Sequence, residues 1–155
     1  MRNMVVAGGQ LGPISRDETK ASAVNRMIAL MHQAASRGAQ LIVFPELALT
    51  TFFPRWWVEN KTDFDHMFER EMPNEDVLPL FETSKKLNIA FHLGYAELTP
   101  DGHRYNTAIM VNNIGKIVGT YRKIHLPGHS DNQEWRPFQH LEKYYFEKGN
   151  LGFPV

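Results

Sequence analysis

The chain has 155 residues, 43% hydrophobic and 22% charged, and its 17 basic and 17 acidic residues cancel to a formal net charge of zero. This composition is typical of one globular domain, and it offers no basic surplus for nucleic acid. No apolar run approaches the ~20 residues of a membrane span, and the apolar stretch near the start is too short for a signal-peptide core. We therefore expect a cytoplasmic protein without a membrane partner. The chain contains no cysteine, which excludes disulfides, thiolate metal sites and a cysteine nucleophile within these residues.

The first part of the chain predicts a strand–helix–strand unit. Residues 4–9 and 41–44 have the apolar runs of buried strands, and residues 17–37 carry apolar side chains at helical spacing. Ser15 or Asp17 is suited to cap this helix, with acidic residues in its first turn. The order favours a parallel pair of strands joined by a right-handed crossover.

The rest of the chain predicts two helices and a meander of strands. A short helix is expected over 62–70, and Asn74 is suited to cap a second helix. Strands are predicted over 89–98, 104–111 and 116–122, separated by turn signals at 101–102 and 112–115. The sequence thus predicts an α/β (α+β-like) fold with helices packed on a mixed β-sheet.

Glu46 follows the apolar run 41–44 and is separated from it by Pro45. Proline has no N–H for a sheet ladder, so the strand ends there and Glu46 lies at its carboxyl end. Ligands bind at that end of open α/β sheets. A carboxylate beside apolar surface suits a general base. The alternative is an ordinary solvated loop residue.

Lys123 also lies close to the end of a predicted strand. Its ammonium could keep a nearby carboxylate charged, or donate to an oxyanion that develops on a substrate carbonyl. The alternative is a solvated basic pair with Arg122.

The aromatic loop (residues 52–57) has three open interpretations. Phe53, Pro54 and Trp56 could line a substrate pocket, since such pockets are mostly apolar with few polar anchors. The loop could equally form a subunit contact or a satellite core.

The histidines do not predict a metal site. His125 and His129 have the spacing of two ligands on one helix, but Pro127 and Gly128 between them argue against a helix. The sequence offers neither a cysteine nor an acidic cluster nearby. We therefore predict no metal.

Four segments together resemble the nitrilase superfamily of carbon–nitrogen hydrolases: residues 44–47 (FPEL), 94–97 (GYAE), 105–108 (YNTA) and 121–126 (YRKIHL). Residues 50–56, 126–129 and 136–143 are most similar to the N-carbamoyl-D-amino-acid hydrolase subfamily. The resemblance implies half of an α-β-β-α sandwich, with residues 1–155 forming the N-terminal part of one domain, truncated before the nucleophile. Half a sandwich leaves a sheet face uncovered, so we expect the chain to associate or aggregate.

The resemblance also implies a Glu-Lys-Cys triad. Glu46 matches the general base, Lys123 the oxyanion-stabilising lysine, and Glu142 a second glutamate beside the lysine. His125 and His140 are expected to orient the active-site loops, or else to be ordinary polar loop residues. Because the family's cysteine would lie beyond residue 155, the chain alone is expected to be inactive.

The implied reaction is hydrolysis of non-peptide carbon–nitrogen bonds without a cofactor. N-carbamoyl-D-amino acids would give a D-amino acid, carbon dioxide and ammonia. The implied partners are this small-molecule substrate and further copies of the chain in a homo-oligomer. The alternatives are an amidase or ureidopropionase-type member of the superfamily, or a degenerate, non-catalytic interaction module.

Overall fold

A computed structural model describes residues 3–153 as a five-stranded mixed sheet with helices. The strands are β1 (Val6–Gly8), β2 (Leu41–Val43), β3 (Ala90–Leu98), β4 (Arg104–Val111) and β5 (Ile117–Arg122). The helices are α1 (Lys20–Ser36), α2 (Leu78–Leu87) and α3 (Glu142–Tyr145), with 3₁₀ turns at Phe53–Arg55 and Lys61–Met67.

The sheet order follows the chain order, β1-β2-β3-β4-β5. Strands β1, β2 and β3 are parallel, whereas β3, β4 and β5 are antiparallel. The predicted α/β fold with a mixed sheet is therefore confirmed.

Helix α1 begins later than predicted. Thr19 caps it: its hydroxyl oxygen accepts the N–H of Ser22 at 3.2 Å. The chain first makes a turn in which the Glu18 N–H donates to the carbonyl of Ser15 at 3.2 Å. Such local turns compete with helix. The predicted cap at Ser15 or Asp17 was wrong, and the first helical turn contains no acidic residue.

The other predicted helices differ in type or register. The helix expected over 62–70 is a 3₁₀ helix, Lys61–Met67. The Asn74 side chain accepts the N–H of Val77 at 3.2 Å in the turn that precedes α2. Helix α2 itself begins at Leu78, with a proline in its first turn, where proline is favoured. Leu78, at the start of α2, is 43% exposed.

The main core lies between α1, α2 and one face of the sheet. Ile42, Phe91 and Ile109 are buried on three adjacent strands, and they pack with Met27 and Met31 of α1. Full burial of such a side chain contributes about 1.5–3 kcal/mol. This packing holds the strand ends that carry Glu46 and Lys123.

A second core surrounds Phe53 of the aromatic loop. Phe53 is fully buried, and its ring centroid lies 5.2–5.8 Å from those of Phe64, Phe68, Tyr145 and Phe146. The cluster joins the aromatic loop and the second 3₁₀ helix to α3. For Phe53, the satellite-core interpretation describes what the structure shows.

The opposite sheet face is not covered by a helix within residues 3–153. Gly8, Val43, His92, Met110 and Gly119 lie side by side across all five strands, and none of them is buried. We call this row the uncovered face. In the same part of the chain, no helix is both long enough and apolar enough to cross a membrane.

Candidate active site

Glu46 lies where the chain leaves β2. The N–H of Phe44 donates to the carbonyl of His92 at 3.1 Å, and the N–H of Ala48 donates to the carbonyl of Gly94 at 2.9 Å, so the segment stays bonded to β3. A Cβ atom at Gly94 would lie only 3.1 Å from the Cα atom of Glu46. Glycine therefore permits the backbone approach that places Glu46.

Lys123 extends β5 by one hydrogen bond and reaches Glu46. Its N–H donates to the carbonyl of Asn106 at 2.8 Å, and its own carbonyl accepts the N–H of Gly149 at 3.0 Å. The ammonium Nζ lies 2.7 Å from Oε1 of Glu46. The two residues are 77 positions apart in sequence, so the sheet brings them together.

Glu142 completes this ionic cluster from α3. Its side chain is 2% exposed, and Oε2 accepts a hydrogen bond from Lys123 Nζ at 2.9 Å. The other carboxylate oxygen, Oε1, lies 3.0 Å from Nε2 of His140. A buried carboxylate is costly unless it is paired and hydrogen-bonded. Here both oxygens have partners.

The aromatic loop holds α3 in place. The N–H of Leu141 donates to the carbonyl of Pro54 at 2.8 Å, and the hydroxyl of Tyr145 donates to the carbonyl of Trp56 at 2.6 Å. The loop therefore positions Glu142 through backbone carbonyls, a function that its aromatic side chains did not indicate in the sequence.

Asn106 lies in the segment 105–108 that contributes to the family resemblance, but the sequence predicted no role for it at the site. Its side-chain amide donates to Oε1 of Glu46 at 2.6 Å, and the residue is only 6% exposed. The available signal was an amide in a strand that is otherwise largely buried, because a buried polar group needs a partner.

The charges of the cluster support one another. Burial lowers the pKa of the Lys123 ammonium, but the hydrogen bonds and negative charges of Glu46 and Glu142 outweigh that effect and hold it above the usual lysine range. Lys123 is therefore a charged donor at neutral pH. A charged donor beside a carboxylate can stabilise an oxyanion while the carboxylate accepts a proton.

A cavity of about 230 Å³ adjoins this cluster, and Glu46, Phe52 and Arg55 are among its lining residues. Phe53 and Pro54 are buried and do not line this cavity. The side chain of Phe53 fills the second core instead. Trp56 is half-buried against that core and does not line it either.

The two predicted supporting histidines have different places. His140 contacts Glu142, and its ring meets Phe52 edge-on at 5.6 Å. His125 is exposed and stacks on Phe153 at 6.2 Å between centroids. Among the described residues, no hydrogen bond joins His125 to the ionic cluster. No three histidine, aspartate or glutamate side chains in residues 3–153 are grouped to hold a metal ion.

The sequence profile of the carbon–nitrogen hydrolases matches residues 5–155. The chain belongs to this family. Its relatives include the citrullinase of Francisella tularensis, which is 31% identical over 100% of this chain and 49% of that protein. The N-carbamoylputrescine amidase of Solanum tuberosum is 25% identical over 99% of this chain and 46% of that protein. The resemblance to the nitrilase superfamily is confirmed.

A solved carbon–nitrogen hydrolase from Helicobacter pylori has the same fold. It superimposes with a TM-score of 0.73 and 26% identity, covering 96% of this chain and 46% of that chain. The chain thus spans about half the length of the relatives it matches. Its sheet and helices correspond to about half of a nitrilase-type fold.

Proposed function

We propose that this carbon–nitrogen hydrolase chain supplies the general base and the oxyanion-stabilising group for hydrolysis of a small carbamoyl or amide substrate. The observation that carries the proposal is the contact of Lys123 Nζ with Glu46 Oε1 at 2.7 Å and with buried Glu142 at 2.9 Å. A proton acceptor and a charged donor then stand side by side next to a cavity.

In the proposed mechanism, Glu46 takes the proton of a cysteine thiol, and the thiolate attacks the carbonyl carbon. Lys123 donates to the oxyanion of the tetrahedral intermediate. Glu46 returns the proton to the leaving amine as the carbon–nitrogen bond breaks. Water then hydrolyses the thioester and restores the thiol. For a carbamoyl substrate this intermediate is an S-carbamoyl group, a thiocarbamate, and the carbamic acid that water releases decomposes to carbon dioxide and ammonia. Glu142 holds Lys123 in position.

The thiol must come from outside these residues, because the chain contains no cysteine. We place it beyond Val155, with residues 1–155 as the N-terminal part of one domain. The proposed full protein is a cytoplasmic homo-oligomer that needs no cofactor.

The proposed substrate is an N-carbamoyl-D-amino acid, which gives the D-amino acid, carbon dioxide and ammonia. Residues 50–56 and 136–143 support this choice by their resemblance to that subfamily, and one relative is named for an N-carbamoyl compound. A simple amide is the second substrate class, because the same two groups serve its hydrolysis.

The experiment compares the 155-residue chain with the product of the coding sequence read past Val155. Both are assayed for amine release from an N-carbamoyl-D-amino acid, its L enantiomer and a simple amide. We expect turnover only in the longer product, and we expect Glu46→Gln to lower kcat/KM by about 10²-fold or more. Exposed Glu82→Gln on α2 is the control.

Turnover by the 155-residue chain alone would refute the cysteine-dependent mechanism. A coding sequence that stops at Val155 would instead support the non-catalytic module.

A further inference from the structure

Asn106 contacts both members of the Glu46–Lys123 pair. Its side-chain Nδ2 donates to Glu46 Oε1 at 2.6 Å, and its backbone carbonyl accepts the N–H of Lys123 at 2.8 Å. Asn106 itself lies in the interior of β4, paired with Ala96 of β3, and is 6% exposed. A rigid strand residue thus touches the carboxylate with its side chain and the lysine with its backbone.

Both donors to Glu46 use the same oxygen. Asn106 Nδ2 and Lys123 Nζ each bond to Oε1, and among the described residues no donor bonds to Oε2. The Glu46 side chain is 43% exposed, so packing alone does not hold its carboxylate. The terminal torsion of a free glutamate is broad. Two donors on one oxygen set its rotation.

We propose that Asn106 is a positioning residue that holds Glu46 Oε1 against Lys123 and leaves Oε2 free to accept a proton. The catalytic meaning of the free oxygen rests on the proposed function. The positioning of the Glu46 carboxylate by Asn106 does not rest on that function, because it concerns only how the carboxylate is held. Lys123 alone is a poor orienting partner, since its ammonium is a rotatable point charge on a flexible stem. The planar amide of Asn106 supplies the direction.

A purely structural role makes a different prediction. Buried amides are usually hydrogen-bonded simply because an unpaired one is costly. In that case, loss of the Asn106 side chain would lower stability and leave the Lys123 ammonium unchanged. In the positioning role, Glu46 moves away from Lys123, and the pKa of Lys123 falls because one of its two carboxylate partners is lost.

The test compares Asn106→Leu with Thr107→Val in the 155-residue chain. Leucine has similar size and no donor. Thr107 is the matched control: it is the next residue of β4, is 1% exposed, and its hydroxyl donates to Glu97 at 2.6 Å without touching Glu46 or Lys123. Each variant thus loses one hydrogen bond from a buried residue to a carboxylate. Competitive acetylation followed by peptide mass spectrometry reports the reactivity of Lys123 across alkaline pH, and thermal melts report stability.

We expect Asn106→Leu to raise the labelling rate of Lys123 at fixed pH by about threefold or more. Thr107→Val should leave that rate unchanged even where the two variants melt alike. Unchanged labelling in Asn106→Leu overturns the proposal. An equal rise in Thr107→Val also overturns it, since general loosening would then explain both results.

Two further measurements cover a variant that does not fold. Asn106→Ser keeps a polar group but is too short to reach Glu46, so it should behave as Asn106→Leu does. If neither variant folds, the side-chain amide protons of Asn106 in the unchanged chain decide. Slow exchange that Glu46→Gln accelerates supports the proposal, and fast exchange in both chains overturns it. None of these readouts needs turnover. A failed hydrolysis assay therefore refutes the proposed function, whereas a failed labelling test refutes the role of Asn106.

Discussion

The two carboxylates that contact Lys123 differ sharply in burial. The side chain of Glu142 is 2% exposed and that of Glu46 is 43% exposed. A buried carboxylate needs permanent partners, so Lys123 and His140 remain with Glu142. Glu46 lines the cavity, and in the proposed mechanism it exchanges partners with the substrate or the thiol. This asymmetry suits one structural and one reactive carboxylate.

The first prediction concerns the partner of the buried carboxylate. Lys123→Met should lower the free energy of unfolding by about 3 kcal/mol, because it leaves the Glu142 charge buried with one partner fewer. Urea unfolding measures the loss. The double variant Lys123→Met/Glu142→Gln should recover part of it, since the uncompensated charge is gone. Exposed Lys116→Met should cost little, and an equal loss there would argue against a special role for Lys123.

The second prediction concerns the glycine behind Glu46. Alanine at position 94 would place Cβ 3.1 Å from the Cα of Glu46 and 3.2 Å from the backbone N of Leu47. Because the obstacle is backbone, we expect Gly94→Ala to lower stability by about 1–3 kcal/mol and to raise Lys123 labelling. Gly8→Ala is the matched control, since nothing lies within 4 Å of a Cβ there. Equal effects of the two substitutions would contradict this account.

At the scale of elements, the β3–β4 hairpin is hydrogen-bonded to the segment that follows α3. The N–H of Glu147 donates to the carbonyl of Arg104 at 2.7 Å, and its carboxylate bonds to Nδ1 of His103 at 2.8 Å. Two residues further on, the N–H of Gly149 donates to the carbonyl of Lys123 at 3.0 Å. The segment after α3 therefore secures the end of β5 that presents Lys123.

The third prediction is that the stability contributed by the contact between His103 and Glu147 depends on pH. The hydrogen bond and the charge of Glu147, with the charge of Asp101, raise the pKa of His103. A raised pKa in the folded state means that the stabilisation is complete below the unfolded value of about 6.5 and is lost as pH rises through the folded value. The melting temperature of the unchanged chain should therefore exceed that of Glu147→Gln more at mildly acidic than at alkaline pH. A difference independent of pH would contradict this.

At the scale of the molecule, the helices within residues 3–153 cover one sheet face and leave the other open. The uncovered face carries Val43 and Met110 on β2 and β4, and Val43 is 38% exposed. The chain spans about half the length of its relatives. Contiguous exposed apolar surface promotes association.

The fourth prediction is that copies of the 155-residue chain associate through the uncovered face. Val43→Lys should increase the monomer fraction in sedimentation velocity, because a charge within that face is costly to bury. Ile114→Lys, at a 63% exposed turn position, should have no effect. A sharp monomeric peak and a cooperative melt of the unchanged chain would count against this prediction.

Much of the fold followed from local patterns. The strands and their succession along the chain were predictable, because apolar periodicity and turn residues are local features of the sequence. Strand β4, for example, matches its predicted bounds, Arg104–Val111. Helix starts were less predictable. Thr19, not Ser15 or Asp17, caps α1 because a turn at residues 15–18 precedes the helix. Several residues suited to capping lie close together in the sequence, so the local pattern did not distinguish among them.

The candidate site likewise has a part that the sequence predicted and a part that only the structure revealed. Glu46, Lys123 and Glu142 could be named from the sequence because each stands in a recognisable motif, and the absence of cysteine could be read directly. The contact of Asn106 with Glu46, across 60 positions, and the support of α3 by the aromatic loop emerged from the folded chain. Such contacts depend on sheet register and on which carbonyls remain free for side chains. The sheet register and the free carbonyls are set by packing between distant segments, and no local pattern encodes them.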